Sequence, residues 1–213
     1  MKFPNPENAG PGGLLALGGD LLPETLEQAY SAGIFPWPEK DKPLLWFSPD
    51  PRGVLFFDQF KLPKSTRKAL HDNRFTLTEN KSFREVIESC ATRPRKHEND
   101  TWILPEMVQA YCELHRLGYG HSVEAWLGEK LVGGIYGVQF HGVFSGESMF
   151  YKTSEASKVC LAHLVQSLMQ KGHQWMDIQM VTPLLAQLGA VTVPRKKYLH
   201  MLLERQKQYS VRS

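Results

Sequence analysis

Cysteine is scarce in this chain, three among 213 residues. Cys90, Cys112 and Cys160 form no CxxC pair, and each lies in a segment that reads as helix. An odd count so placed points to neither a disulfide framework nor a zinc site. Long apolar runs are missing too: eighteen apolar residues never occur in succession, so no membrane span is expected. The opening MKFPNPENAGPGG breaks into proline and glycine before an apolar segment can form, which argues against a targeting peptide and for a cytoplasmic protein. Charge of one sign is also lacking. With 25 Lys and Arg against 22 Asp and Glu, the net charge of +3 permits a phosphate-bearing partner without demanding one.

Proline and glycine are concentrated before residue 53, alongside the aromatic cluster Phe35, Trp37, Trp46 and Phe47. One helix is expected there: Pro23 suits a first helical position, Leu26, Ala29 and Tyr30 have helical spacing, and Gly33 suits a left-handed stop. We therefore expect a small lobe over residues 1–53 and a larger domain over residues 54–213.

The larger domain reads as α+β. Strands are expected at 54–57 and 75–78, with a basic helix over 64–72 between them. Ser82 and Glu85 have capping-box spacing ahead of the apolar stripe Phe83, Val86, Ile87 and Cys90. A helix over 105–117 precedes an antiparallel meander at 122–126, 130–138 and 143–150, turning at Gly128-Glu129 and His141-Gly142. An amphipathic helix over 157–171, a buried strand at 175–180, a short helix from Thr182-Pro183 to Gly189, a strand at 190–193 and a terminal helix from Pro194 complete the chain.

This order, and LLAQLGAVTV in particular, resembles the acyl-CoA N-acyltransferase (GNAT) superfamily, which implies a GNAT-like mixed-sheet domain and acyl transfer to an amine. Acetyltransferases of that superfamily hold the CoA pyrophosphate on a glycine-containing loop at a helix start. The corresponding stretch here, residues 150–157, contains no glycine, which argues against CoA as donor.

Four ordered stretches carry a closer resemblance: GLLALGGDL (13–21), AYSAGIFPW with WFSPDPRGVL (29–55), LVGGIYGV with FSGESMFYKTSEASK (131–158), and DIQ with LGAVTVPRKKYL (177–199). Together they are similar to the leucyl/phenylalanyl-tRNA–protein transferase family across nearly the whole chain. The resemblance implies transfer of Leu, Phe or Met from aminoacyl-tRNA to the α-amine of proteins that begin with Arg or Lys, within the N-degron pathway of protein degradation. It implies no cofactor and no metal, since the tRNA ester is already activated and positioning plus one proton acceptor suffices. A monomer is the default expectation.

Alternation along a strand puts Asp177 and Gln179 on one face, with Met176, Ile178 and Met180 on the other. The family match makes Asp177 either the proton acceptor or an orienting group, and gives Gln179 the ester carbonyl or the carboxylate to hold; taken alone, Asp177 reads as a buried, hydrogen-bonded structural residue. Glu147 is assigned to the acceptor's cation or its ammonium, with an internal ion pair to Lys158 as the plainer alternative. The same match marks Trp102, Tyr111, Ile135, Phe144 and Met149 as walls of the donor side-chain pocket, against ordinary core packing. Tyr30, Trp37 and Trp46 are candidates to stack on the terminal adenosine, against a structural aromatic cluster. Lys64, Arg67, Lys68 and Arg74, with Lys61, could contact tRNA phosphates or form a solvated helix face, and the runs Arg93, Arg95, Lys96 and Arg195, Lys196, Lys197 are comparable. The competing functions are a non-catalytic module for charged tRNA and a CoA-dependent N-acetyltransferase. Asp177→Ala would separate the first of these, with transfer abolished and tRNA affinity nearly intact.

Overall fold

The structure, a computed structural model, describes residues 2–92 and 103–211. First come β1 (Leu14–Leu17), α1 (Pro23–Ser31), β2 (Phe35–Pro36) and β3 (Leu45–Phe47). Then come β4 (Arg52–Phe56), α2 (Lys64–His71), β5 (Thr76–Glu79), α3 (Phe83–Ala91), α4 (Pro105–Arg116), β6 (Gly120–Leu127), β7 (Lys130–Phe140) and β8 (Val143–Tyr151). The chain closes with α5 (Ala156–Gln170), β9 (Trp175–Gln179), α6 (Pro183–Gln187), β10 (Val191–Val193) and α7 (Arg195–Ser210).

The class is α+β, as the sequence pattern predicts. A seven-stranded mixed sheet has the order β10-β4-β9-β8-β7-β6-β5, and a three-stranded sheet has the order β1-β3-β2. The small sheet escapes a sequence reading because its strands are two to four residues long and set among prolines and glycines. α1 begins with Pro23 at its first turn, and Gly33 takes the left-handed conformation just beyond it (φ +77°).

One face of the large sheet packs on α1, α3 and α4 through residues such as Leu26, Phe83, Met107 and Tyr136. The opposite face is covered by α5, whose Leu161, Leu164 and Leu168 meet Leu55, Phe144 and Met176. α7 lies against Val54, Val143 and Val193 through Tyr198 and Leu202. Full burial of each such leucine is worth about 1.5 to 3 kcal/mol. The paired glycines of β7 fit this sandwich. A Cβ on Gly133 would come within 2.5 Å of Ala156 at the start of α5, and one on Gly134 within 3.0 Å of Val86 on α3. No helix among the described residues is long and apolar enough to cross a membrane.

The expected capping box is absent. Ser82 occupies the N-cap of α3, but its side chain makes no capping bond. The buried carboxylate of Glu124, reaching over from β6, takes that place. It accepts the Ser122 hydroxyl (2.6 Å), the Thr78 hydroxyl (2.5 Å) and, at 3.4 Å each, the backbone N–H groups of Lys81 and Ser82. A negative charge at a helix start is favourable. Glu124→Ala strands two hydroxyls and the helix start, so it should lower the unfolding free energy by about 1 to 3 kcal/mol in urea titrations. A variant with an unchanged midpoint would show that solvent replaces the carboxylate.

Candidate active site

Among the described residues the large sheet has one parallel pair, β8 with β9, and it creates the site. Among the described residues β8 and β9 pair only at Ser145 and Asp177. Beyond that point a cavity of about 400 Å³ lies between their C-terminal halves. Its apolar wall is formed by Ile135, Met149, Leu161, Met176, Ile178 and Leu185, and Trp37, Glu147 and Gln179 stand at its polar side.

Two backbone irregularities bring the polar groups there. In the β7–β8 register Tyr136 faces Ser148 and Gly137 faces Gly146, so Glu147 is the extra residue of a β-bulge. Bulges re-aim side chains, and this one breaks the two-residue alternation of β8. Phe144 and Met149, an odd number of residues apart, both pack on the α5 side, whereas Phe150 packs on the opposite face. The second irregularity is Gln179, which ends β9 in the left-handed region at φ +56°. Its side chain therefore turns to the cavity that Met176 and Ile178 line.

Asp177 does not line that cavity, contrary to the expected shared face with Gln179. It is fully buried on the other side of β9, opposite Val54, with Arg52 as its partner. Arg52 Nε and Nη2 donate to its two oxygens at 2.8 and 2.7 Å, while Tyr198 and Ser145 hydroxyls donate to Oδ2 at 3.1 and 3.2 Å. The Gln179 backbone N–H donates to Oδ1 at 3.0 Å. Burial disfavours the Arg52 charge, but the adjacent carboxylate more than offsets this and holds the guanidinium protonated. Asp177 and Gln179 are thus linked through the backbone of Gln179, not through a common face.

Glu147 is not paired with Lys158, which instead binds Glu155 at 2.8 Å. Hydrogen bonds hold the Glu147 carboxylate: Tyr30 donates to Oε1 (2.8 Å), Tyr111 to Oε2 (3.3 Å) and Gln179 Nε2 to Oε1 (3.3 Å). The two tyrosine hydroxyls also lie within hydrogen-bonding distance of each other, and with one hydrogen apiece they divide it between that contact and Glu147. Burial pushes the Glu147 carboxyl up to about 8, opposed by the Tyr30 bond and reinforced by the charge of Asp177. Burial, then the Glu147 charge, raises both tyrosines well above their usual range.

The other expected site residues divide between cavity and core. Ile135 and Met149 line the cavity. Tyr111 and Phe144 do not; both are buried, Tyr111 behind Glu147 and Phe144 in the core beneath. Trp102 lies outside the described residues, as do Arg93, Arg95 and Lys96. Of the three rings expected to meet adenosine, Trp37 is at the cavity. Trp46 is fully buried with Nε1 donating to the Gly18 carbonyl, and Tyr30 is buried with its ring stacked on Phe140, so neither offers a face to a base. Lys64, Arg67 and Lys68 are exposed on and around α2, whose first turn has no acidic residue, and Arg74 lies over the Phe75 ring. Arg195 donates to the Ser48 and Glu7 carbonyls and is a structural clamp.

Sequence reasoning misses Arg52, Ser145 and Tyr198, together with Leu161 and Leu185. An arginine heading the apolar run VLFF was the available signal for Arg52, because a cation there needs a buried partner.

An apolar cavity with a carboxyl and a carboxamide at its edge, on a mixed α+β sheet, can seat an apolar group beside hydrogen-bonding ones. The model of the leucyl/phenylalanyl-tRNA protein transferase family matches residues 54–203, and that of the family's N-terminal domain matches residues 19–50. The chain belongs to the leucyl/phenylalanyl-tRNA–protein transferase family, whose members are aminoacyltransferases. A relative of that name from Syntrophotalea carbinolica is 50% identical over 202 residues, covering 95% of this chain and 88% of the relative. One from Flavobacterium johnsoniae is 46% identical over 202 residues, covering 95% of each. Solved structures include a GCN5-related N-acetyltransferase-like protein from Streptococcus suis (TM-score 0.40, 14% identity, 80% of this chain and 63% of that one). L-PGS from Bacillus licheniformis is similarly distant (TM-score 0.38, 14% identity, 75% of this chain and 52% of that one). Likeness at that level does not bear on activity.

Proposed function

We propose that this aminoacyltransferase takes Leu, Phe or Met from its tRNA and passes it to the α-amine of cytoplasmic proteins that begin with Arg or Lys, creating a destabilising N-terminus. The observation that carries this reading is the Glu147–Gln179 hydrogen bond at the polar side of the apolar cavity (3.3 Å). The cavity takes the donor's hydrocarbon. Met149 and Met176 are unbranched and adaptable, so side chains of differing shape can be accommodated. Trp37 offers a stacking surface for the terminal adenosine, worth about 1 to 3 kcal/mol.

On this reading Glu147 receives the acceptor. An α-ammonium has a pKa near 8 in water, close to the value of about 8 for Glu147; once the incoming cation has displaced the Glu147 proton to solvent, the carboxylate takes the ammonium proton at little cost. The freed amine attacks the ester carbonyl carbon, its remaining excess proton goes to the departing ribose oxygen, and the Gln179 carboxamide steadies the carbonyl. Asp177 is an orienter and not the base, because both of its oxygens are already engaged by Arg52, Tyr198, Ser145 and the Gln179 N–H.

α2 is the proposed seat of the acceptor stem. The paired change Lys64→Glu with Arg67→Glu should weaken tRNA binding and make the salt dependence shallower, by about one unit of slope for each phosphate no longer neutralised. An unchanged slope would place the stem elsewhere. The reading as a whole is tested by incubating purified protein with Leu-, Phe-, Met-, Val- and Ile-tRNA and one Arg-starting peptide. The first three should donate and the two β-branched residues should not. Failure of all five would leave the non-catalytic tRNA-binding alternative.

A further inference from the structure

We infer that Arg52 is a positioning residue for transfer: acting through Asp177, it holds Gln179 in the left-handed conformation that turns the carboxamide to the cavity. This rests on the reading above of that cavity as the transfer site.

A side chain at φ +56° is disfavoured for any residue but glycine, and persists only where its surroundings fix it. Gln179 is the last residue of β9, so the regular ladder ends with it. Its backbone is held by the pairing with Gly53, by the Met180 N–H bond to the Ile178 carbonyl (2.6 Å) and by the bond from its own N–H to Asp177 Oδ1 (3.0 Å); the last of these has a direction only if the carboxylate cannot rotate. Arg52 stops the rotation. Its planar fork engages both carboxylate oxygens at 2.8 and 2.7 Å, an arrangement a lysine cannot reproduce.

The guanidinium is itself clamped. It lies 4.9 Å from the centre of the Phe35 ring and 4.5 Å from that of Tyr198, and Nη1 donates to the Gly33 carbonyl at 2.9 Å. In the β4–β9 register Gly53 faces Gln179 and Val54 faces Asp177, so the irregularity falls one residue after Arg52 and at the end of β9. The contacts therefore run without a gap from Phe35 through Arg52, Asp177 and Gln179 to Glu147. Phe35 lies two residues before Trp37, so the same clamp seats Trp37 at the cavity.

The test is steady-state transfer with Arg52→Lys, read as kcat and KM separately, beside its thermal midpoint and assayed well below that midpoint. Arg52→Lys should lower kcat by about 10- to 100-fold while the KM for charged tRNA stays within about twofold. The paired variant Arg52→Gln with Asp177→Asn removes both charges, so it should recover stability relative to Arg52→Gln alone without recovering rate. Wild-type kcat in Arg52→Lys, or rate returning together with the midpoint in the paired variant, would overturn the inference and leave the proposed function standing. A wild-type protein inert toward every charged tRNA would overturn both.

Discussion

Asp177→Ala will cost this protein about 3 to 5 kcal/mol of stability, the usual penalty for removing one partner of a buried ion pair. The reason lies with the partner left behind. Arg52 is 1% exposed, its guanidinium sits between two aromatic rings, and its remaining bonds are the Gly33 carbonyl and a long contact to the Tyr198 hydroxyl at 3.4 Å. Without the carboxylate, a charge stays buried where water reaches it poorly, while the Tyr198 and Ser145 hydroxyls lose their shared acceptor. Urea unfolding monitored by circular dichroism measures the loss, and a wild-type midpoint would mean that the pocket rehydrates freely. The substitution that is most diagnostic on sequence grounds thus confounds chemistry with folding. A fall in tRNA affinity of Asp177→Ala would report unfolding as readily as a binding role.

Glu147→Gln should have the opposite consequence for stability at alkaline pH, while disabling the acceptor side of the site. Free glutamate titrates near 4.5, whereas burial places Glu147 at about 8, so the folded state holds this proton more tightly than the unfolded chain does. The resulting stabilisation is fully present below pH 4.5 and is lost as pH rises through 8. Glutamine has no such proton. The unfolding free energy of wild type minus that of Glu147→Gln should therefore fall between those two pH values, by on the order of 2 to 4 kcal/mol. His173, pushed down to about 4 by burial, works in the reverse direction at the acid end of that range, but it is common to both proteins and cancels in the difference. The same displaced proton gives a binding signature. A basic peptide end brought against Glu147 favours the carboxylate, so wild type should release close to one proton per peptide bound at about pH 7, and Glu147→Gln none. Calorimetry in buffers of different ionisation heat reads this directly. A flat difference curve together with absent proton release would mean that Glu147 is ionised throughout and meets the acceptor in some other way.

Most of the fold could be read from the chain because its signals are local. The meander turns at Gly128 and His141-Gly142, the stop of α5 at Gly172, and the cap of α6 by Thr182, which accepts the Leu185 N–H at 3.3 Å, each depend on a few adjacent residues. The site was legible as a set of residues and illegible as an arrangement. Strict period-two reasoning fails at Glu147, where one inserted residue flips the faces of β8, and again at Gln179, where a left-handed backbone turns the side chain away from its expected neighbour. Neither irregularity leaves a glycine or proline at its own position as a marker. The Arg52–Asp177 pair joins residues 125 apart in sequence, and Tyr198 and Ser145 come from two further segments, so no window of the chain contains the pattern. Tyr30 and Trp46 mislead for a related reason. An aromatic-rich, proline-rich stretch suggests rings left over for a ligand, but Trp46 is taken into the three-stranded sheet, and Tyr30, on α1, stacks on Phe140 and bonds to Tyr111 and Glu147.

At the centre of the proposed transfer is a buried carboxylate that reads the incoming amine beside an apolar cavity holding the donor. Single-turnover transfer of labelled leucine from Leu-tRNA to peptides that differ only in their first residue, with wild type and Glu147→Gln side by side, addresses that directly. Wild type should modify Arg- and Lys-starting peptides in preference to Ala- and Glu-starting ones, and Glu147→Gln should lose both rate and preference at unchanged tRNA affinity. A Glu147→Gln protein that keeps the wild-type rate and the same ranking of peptides would contradict it.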